Sequence, residues 1–245
     1  MITLRRARER RHYQKMKRET WATFDPRDRS DPLAAGFGAL HLLEEDRVPP
    51  GFSIRRHPHR DVEMLTYIFR GSLEYENSLG DSGTIYAGDF RHMSAGRGVQ
   101  HSETNPSPSN WSHVYRIGIR PARVGLKPSD VHRRFSVAHR SGVLCAVASN
   151  RELGASLGIQ QSVSVYSALL DPGQHLVHTL AGDRCAWLHV LEGEIALGEL
   201  LMTAGDGVGV QGNPTVSFTA KGRAEVLLVD LALEDDGERA PPLPT

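Results

Sequence analysis

The sequence predicts an all-β protein made of two copies of one β unit, and three observations carry that prediction. Short runs rich in β-branched and aromatic residues recur along the chain, at 65–69, 114–119, 163–166, 187–191 and 224–229. Gly, Pro, Asn and Asp fall between them, which is the spacing of a sandwich or barrel. Helical periodicity is scarce, with one short helix or turn expected at 151–157. Finally, Tyr67-Ile68-Phe69-Arg70-Gly71-Ser72-Leu73-Glu74 followed by Ala87-Gly88-Asp89-Phe90 is echoed by His189-Val190-Leu191-Glu192-Gly193-Glu194-Ile195-Ala196 and then Ala204-Gly205-Asp206-Gly207. In both stretches a strand turns at a glycine, returns as a second strand and reaches a Gly-Asp turn. Two units joined near residues 125 to 140 are therefore expected.

The opening segment is strongly basic, with Arg5, Arg6, Arg8, Arg10, Arg11, Lys15, Lys17 and Arg18 among the first eighteen residues. A nucleic-acid patch would want a binding motif or stacking aromatics behind such a cluster, and neither is present. The cluster reads as the solvated face of an opening strand and turn. The acidic, proline-rich segment at 233–245 reads as a disordered tail.

Composition narrows the class further. Among 245 residues, 29 Lys and Arg balance 29 Asp and Glu, so net charge points to neither nucleic acid nor a membrane surface. Cys145 and Cys185 are the only cysteines and lie in apolar surroundings, as expected of small buried hydrophobes in a reducing compartment. No stretch is long and apolar enough to cross a bilayer and no signal-like apolar region opens the chain, so a cytoplasmic protein is expected.

The residues that carry chemistry are two short pairs, His57-Pro58-His59 and His101-Ser102-Glu103. Alternate residues of a strand face the same way, so each pair can aim both side chains at one point. With twelve histidines in the chain, one such pair alone would mean little. The second pair follows the turn Ala95-Gly96-Arg97-Gly98, where glycines let the backbone bend sharply. Together they offer three imidazoles and a carboxylate to a transition ion, with positions left for substrate or dioxygen. Strand parity also puts Glu63 in line with His57 and His59, and spacing does not choose between Glu63 and Glu103 as the carboxylate. The carboxylate left out could steady a ligand histidine. Counting from the repeat's glycines and aspartates puts Thr179, Ala181 and Phe218 at the matching places of the second unit, which is expected to lack a metal site. His175 and His178 are spaced to face opposite ways and read as ordinary histidines.

The stretch from His57 to Pro106, including Met93-Ser94-Ala95-Gly96-Arg97-Gly98-Val99-Gln100-His101-Ser102-Glu103-Thr104-Asn105-Pro106, closely resembles the metal-binding core of the pirins. The resemblance extends more weakly through Trp21-Ala22-Thr23-Phe24, Gly36-Phe37-Gly38-Ala39-Leu40 and Arg133-Arg134-Phe135 and covers nearly the whole chain. It implies a bicupin, two cupin-type β-barrels packed face to face. The expected division is an N-terminal metal-binding barrel at 1–130 and a C-terminal barrel without a metal site at 131–232. It also implies His57, His59, His101 and Glu103 as ligands of one divalent ion, Fe2+ first, with Mn2+, Co2+, Ni2+, Cu2+ or Zn2+ as alternatives. The implied activity is that of a quercetin 2,3-dioxygenase, which opens a flavonol ring with dioxygen and releases carbon monoxide, with Glu103 as general base. The implied alternative is an iron-containing redox sensor that regulates a partner. No nucleic-acid or membrane partner is expected, and the protein is expected to be a monomer. The chain departs from the family where Asp25-Pro26 directly follows Phe24, at Thr104 and at Gly118. The last two changes are expected to enlarge or reshape the cavity, with a strand bulge as the alternative reading of Gly118.

Overall fold

The computed structural model describes residues 1–151 and 153–233. The expected tail lies at its end, and 234–245 fall outside the described residues.

The runs of β-branched residues become strands of four sheets. In the first barrel a seven-stranded sheet runs in the order Ser129–Arg134, Asp89–Ser94, Glu63–Arg70, Ser112–Ile119, Leu40–Val48, Arg18–Ala22 and Arg11–Lys15. It faces a four-stranded sheet of Ser53–His59, Val99–Thr104, Ser72–Asn77 and Ser82–Tyr86. The second barrel repeats this plan. Its large sheet runs Ile2–Arg5, Gly207–Gln211, Arg184–Glu192, Ala224–Ala232, Val163–Leu170, Cys145–Ser149 and Leu157–Gly158. Its small sheet runs His175–Thr179, Thr215–Ala220, Glu194–Leu197 and Leu200–Thr203.

The repeated glycines do the same work in both barrels. Gly71 and Gly193 have φ of 78° and 80°, a left-handed conformation that glycine adopts without penalty. Residues 153–156 are irregular and the short α-helix lies at Val137–Arg140, between the barrels, with Ser136 as its N-cap.

Strand pairing exchanges the ends of the two units. Ile2–Arg5 pairs with Gly207–Gln211 of the second barrel, whereas Ser129–Arg134 pairs with Asp89–Ser94 of the first. The basic opening segment is accordingly not a solvated face, which corrects the sequence reading. Arg5 pairs with Asp31, Arg6 with Asp206 at 2.9 Å, Arg10 with Glu45 at 2.8 Å and Arg18 with Asp46 at 2.8 Å. Arg8, Lys15 and Lys17 remain exposed. Runs of like charge are usually solvated, but here the partners come from distant strands and could not be read from local spacing.

The largest apolar cluster lies between the two large sheets and joins Phe24, Phe37, Tyr67, Phe90 and Tyr115 to Val163, Trp187, Leu227 and Val229. The barrels therefore pack face to face. The second barrel has its own apolar interior around Leu188, Val216, Phe218 and Leu228. The first barrel's interior is divided into two small clusters, around Ile68 and Ile85 and around Met64 and Met93. Charged side chains and a cavity take up the rest. No helix among the described residues is long and apolar enough to cross a membrane.

Candidate metal centre

The strands Ser53–His59 and Val99–Thr104 pair antiparallel with His57 opposite His101 and His59 opposite Val99. Strand parity turns His57 and His59 to one face, and the pairing brings His101 to meet them. The ligand nitrogens of all three lie within 4.8 Å of one another. His57 Nε2 and His101 Nε2 face each other at 3.1 Å.

The orientation of the His57 ring follows from its neighbour. Its Nδ1 lies 2.9 Å from the Arg55 carbonyl oxygen, which can only accept, so Nδ1–H donates there and Nε2 is the nitrogen turned toward the other two rings. Burial, then the nearby His57 and Arg91, pushes His59 down to about 4. The same causes, with burial again foremost, push His101 down to about 2. Three imidazoles with converging nitrogens are a donor set that fits a divalent transition ion.

Glu103 shares the inward face with His101, but its carboxylate is drawn toward arginines. Arg116 Nη2 donates to Oε2, Arg91 Nη1 lies 3.4 Å from Oε1, and His101 Nδ1 lies 3.8 Å from Oε1. Burial pushes the Glu103 carboxyl up, opposed first by Arg91. Burial holds the Arg116 guanidinium down to about 9. Glu63 is elsewhere. It is buried at the seam between the barrels, where it accepts the backbone N–H groups of Gln160 and Gln161 and pairs with His92 at 3.1 Å. Strand parity failed there because Ser53–His59 and Glu63–Arg70 belong to different sheets, and Asp61 between them has φ 48°.

A cavity of about 130 Å³ opens over the histidines, and Arg18, Glu44, Met64, Thr66, Glu103 and Arg116 are among the residues on its walls. The sequence reading missed Arg18, Arg91 and Arg116. A signal did exist, since Arg116 is a charge inside the otherwise apolar run Val114-Tyr115-Arg116-Ile117. The structure corrects one of the two expected changes in cavity shape. Thr104 faces outward and meets the Ser53 hydroxyl at 2.9 Å. A Cβ at Gly118 would lie 2.9 Å from Leu42 Cβ and 3.0 Å from His41 Nε2, so Gly118 bears on the cavity through Leu42, which lines it, and the pairing with Leu40–Val48 shifts register between Gly118 and Ile119, as at a bulge.

The second barrel is filled where the first is hollow. Glu103 pairs with Tyr75, four residues after Gly71, and Ala196, three residues after Gly193, pairs with Thr219. Phe218 is therefore the counterpart of Glu103, and Val216 that of His101. Across the next pairing, His178 stands for His57 and Leu180 for His59. The simple count had placed Phe218 against His101 and Thr179 and Ala181 against the first pair. Leu180, Val216 and Phe218 are buried in the barrel's apolar cluster, and His178 is paired with Asp230 at 2.8 Å.

The Pirin family profile matches residues 3–119 and that of the quercetinase C-terminal cupin domain matches 146–231. Quercetin 2,3-dioxygenase of Escherichia coli (strain K12) is 34% identical over 94% of this chain and 99% of its own. The crystal structure of YhhW from Escherichia coli superposes with a TM-score of 0.90 at 34% identity, covering 96% of this chain and 99% of that one. The nickel(II) complex of the bacterial pirin YhhW from Escherichia coli gives 0.89 at 34% identity over 96% of this chain and 100% of that one.

Proposed function

The chain belongs to the pirin family of bicupins, and from that membership and the histidine triad we propose a metal-dependent dioxygenase of the quercetin 2,3-dioxygenase type. The substrates would be a flavonol and dioxygen, with carbon monoxide released as the central ring opens. The observation that carries this reading is the convergence of three imidazoles on the wall of an open cavity.

His57, His59 and His101 would hold the ion, with Glu103 as the fourth ligand. When bound, a divalent ion, Fe2+ first, supplies Lewis acidity and open positions for the substrate and dioxygen. The nickel(II) complex of YhhW supports a site of this kind that accepts first-row ions. The chain's own residues do the remaining work. The Arg55 carbonyl fixes the His57 ring so that Nε2 points into the cavity. Glu103 Oε1, whose neighbours stand off at 3.4 and 3.8 Å, is the oxygen able to take the proton of the flavonol 3-hydroxyl. Without the ion, Oε2 is held by Arg116 Nη2. Met64 and Leu42 line part of the cavity and keep water from that side.

The test loads metal-stripped protein with each first-row ion in turn and follows carbon monoxide released from quercetin in air. His101→Ala is expected to abolish release together with metal uptake. Full turnover by metal-free protein would sink the mechanism. Absence of turnover with every ion would favour the redox-sensing alternative.

A further inference from the structure

A chain of alternating charges crosses the interior of the first barrel beside the histidines. Arg18 Nε and Nη2 donate to the two oxygens of Asp46 at 3.0 and 2.8 Å, and the Thr20 hydroxyl donates to Asp46 as well. Arg116 bridges Asp46 and Glu103. Arg91 continues from Glu103 to Asp130, with Nε donating at 2.8 Å, and Asn77 donates to Asp130 at 2.7 Å. The Arg91 guanidinium also lies 3.7 Å from the centre of the Tyr75 ring.

As it stands, this chain is neutral, with three arginines against Asp46, Glu103 and Asp130, and only Glu44 on the cavity wall tips it negative. A divalent ion on the triad reverses the balance. The ion with Arg18, Arg91 and Arg116 then exceeds Glu44, Asp46, Glu103 and Asp130 by one positive charge. An uncompensated charge in a buried site is costly, so the loaded cavity favours one anion.

Which arginine would receive it follows from the partners that each keeps. Arg18 holds Asp46 through Nε and Nη2, independently of Glu103, and Arg91 is fixed by Asp130 and Tyr75. Arg116 alone among the three both lines the cavity and depends on Glu103 for one of its two carboxylate contacts. When Glu103 turns to the metal, Arg116 keeps Asp46 but Nη2 loses its acceptor.

We propose that Arg116 is a specificity-determining residue: with Glu103 on the metal, its Nη2 receives the ionised oxygen of the substrate, selecting an enolate, phenolate or carboxylate over a neutral analogue of the same shape. This rests on the reading of the triad as a metal site. The cavity's volume of about 130 Å³ fits the acidic end of a planar substrate rather than the whole of it.

The experiment uses Co2+-loaded protein and reads the visible Co2+ spectrum during titration with formate, 3-hydroxyflavone and flavone, which lacks the ionisable hydroxyl. A charge-assisted hydrogen bond corresponds to about tenfold to a hundredfold in affinity. Arg116→Gln is expected to weaken formate and 3-hydroxyflavone by that factor, leave flavone unchanged and retain one Co2+ per chain. Arg116→Lys keeps a cation against Asp46 and is expected to fall between wild type and Gln, so it serves also if the Gln variant folds poorly. Unchanged formate affinity in both variants overturns the proposal, as does an equal loss for flavone. Arg116-dependent binding of formate without binding of 3-hydroxyflavone supports it while removing the flavonol reading. Failure of the wild-type chain to bind Co2+ overturns both.

Discussion

Glu63 in the first barrel accepts the backbone N–H of Gln161 from the second at 2.9 Å. Its other oxygen accepts that of Gln160 at 2.8 Å. The carboxylate is fully buried and also meets His92 at 3.1 Å. A carboxylate can accept from all three neighbours, but a carboxamide must turn its NH2 toward one of the donors. Glu63→Gln is therefore expected to lower the unfolding free energy by about 1–3 kcal/mol, read by urea denaturation. Metal content should stay at one ion per chain. Loss of the ion in this variant would show that Glu63, not Glu103, serves the centre.

The two carboxylates also show how far the sequence could be read. His57, His59 and His101 were legible because parity holds within a strand and because His101 lies opposite His57 in a register that runs on to Val99 and His59. Parity gave no guidance for Glu63, since the chain leaves one sheet and enters another at residues 60–62. The face-to-face barrels were legible from the glycine repeat and the family motif. The arginines around Glu103 were not, because their partners, Asp46 and Asp130, come from strands far apart in sequence. The opening arginines were misread for the same reason.

The register match between the barrels leads to a contrast in stability. Phe218, the counterpart of Glu103, is buried in the second barrel's core, whereas His57 borders the cavity of the first. Removing a buried phenyl ring leaves a void, so Phe218→Ala is expected to cost about 3–5 kcal/mol in chemical denaturation. His57→Ala in metal-free protein should cost far less. Equal losses would mean that the first barrel's cavity is packed as tightly as the second barrel's core.

The repeat's second glycine should tolerate no side chain. Gly193 has φ 80°, and a Cβ there would lie 1.9 Å from the Arg223 carbonyl oxygen. Gly51 has φ 65° with nothing within 4 Å of such a Cβ. Gly51→Ala is expected to cost only the left-handed backbone, about 1–2 kcal/mol. Gly193→Ala carries that cost plus displacement of backbone, and its thermal midpoint should fall well below that of the Gly51 variant. Matching midpoints would show that the backbone at Arg223 shifts freely.

His189 gives the protein an acid-sensitive core. It is buried between the barrels beside the Tyr115 ring, and neither ring nitrogen has a hydrogen-bond partner among the described residues. Burial, then the Arg10 guanidinium, pushes it down to about 3, against the opposing pull of Glu45 and Asp206. The unfolded chain takes up this proton near pH 6.5, while the folded protein refuses it until near pH 3. Between those values the unfolded state binds more protons, so stability falls as the pH falls through that window. By pH 4 the loss from this residue is on the order of 3 kcal/mol. His41, which burial pushes down to about 4, acts in the same direction, and so do His59 and His101 in metal-free protein. The contribution of His189 is isolated by subtraction. Urea denaturation of wild type and His189→Leu is expected to show a gap that widens in favour of the variant from pH 7 to pH 4, because leucine has no proton to refuse. Parallel curves across that range would mean that the folded protein accommodates a protonated His189.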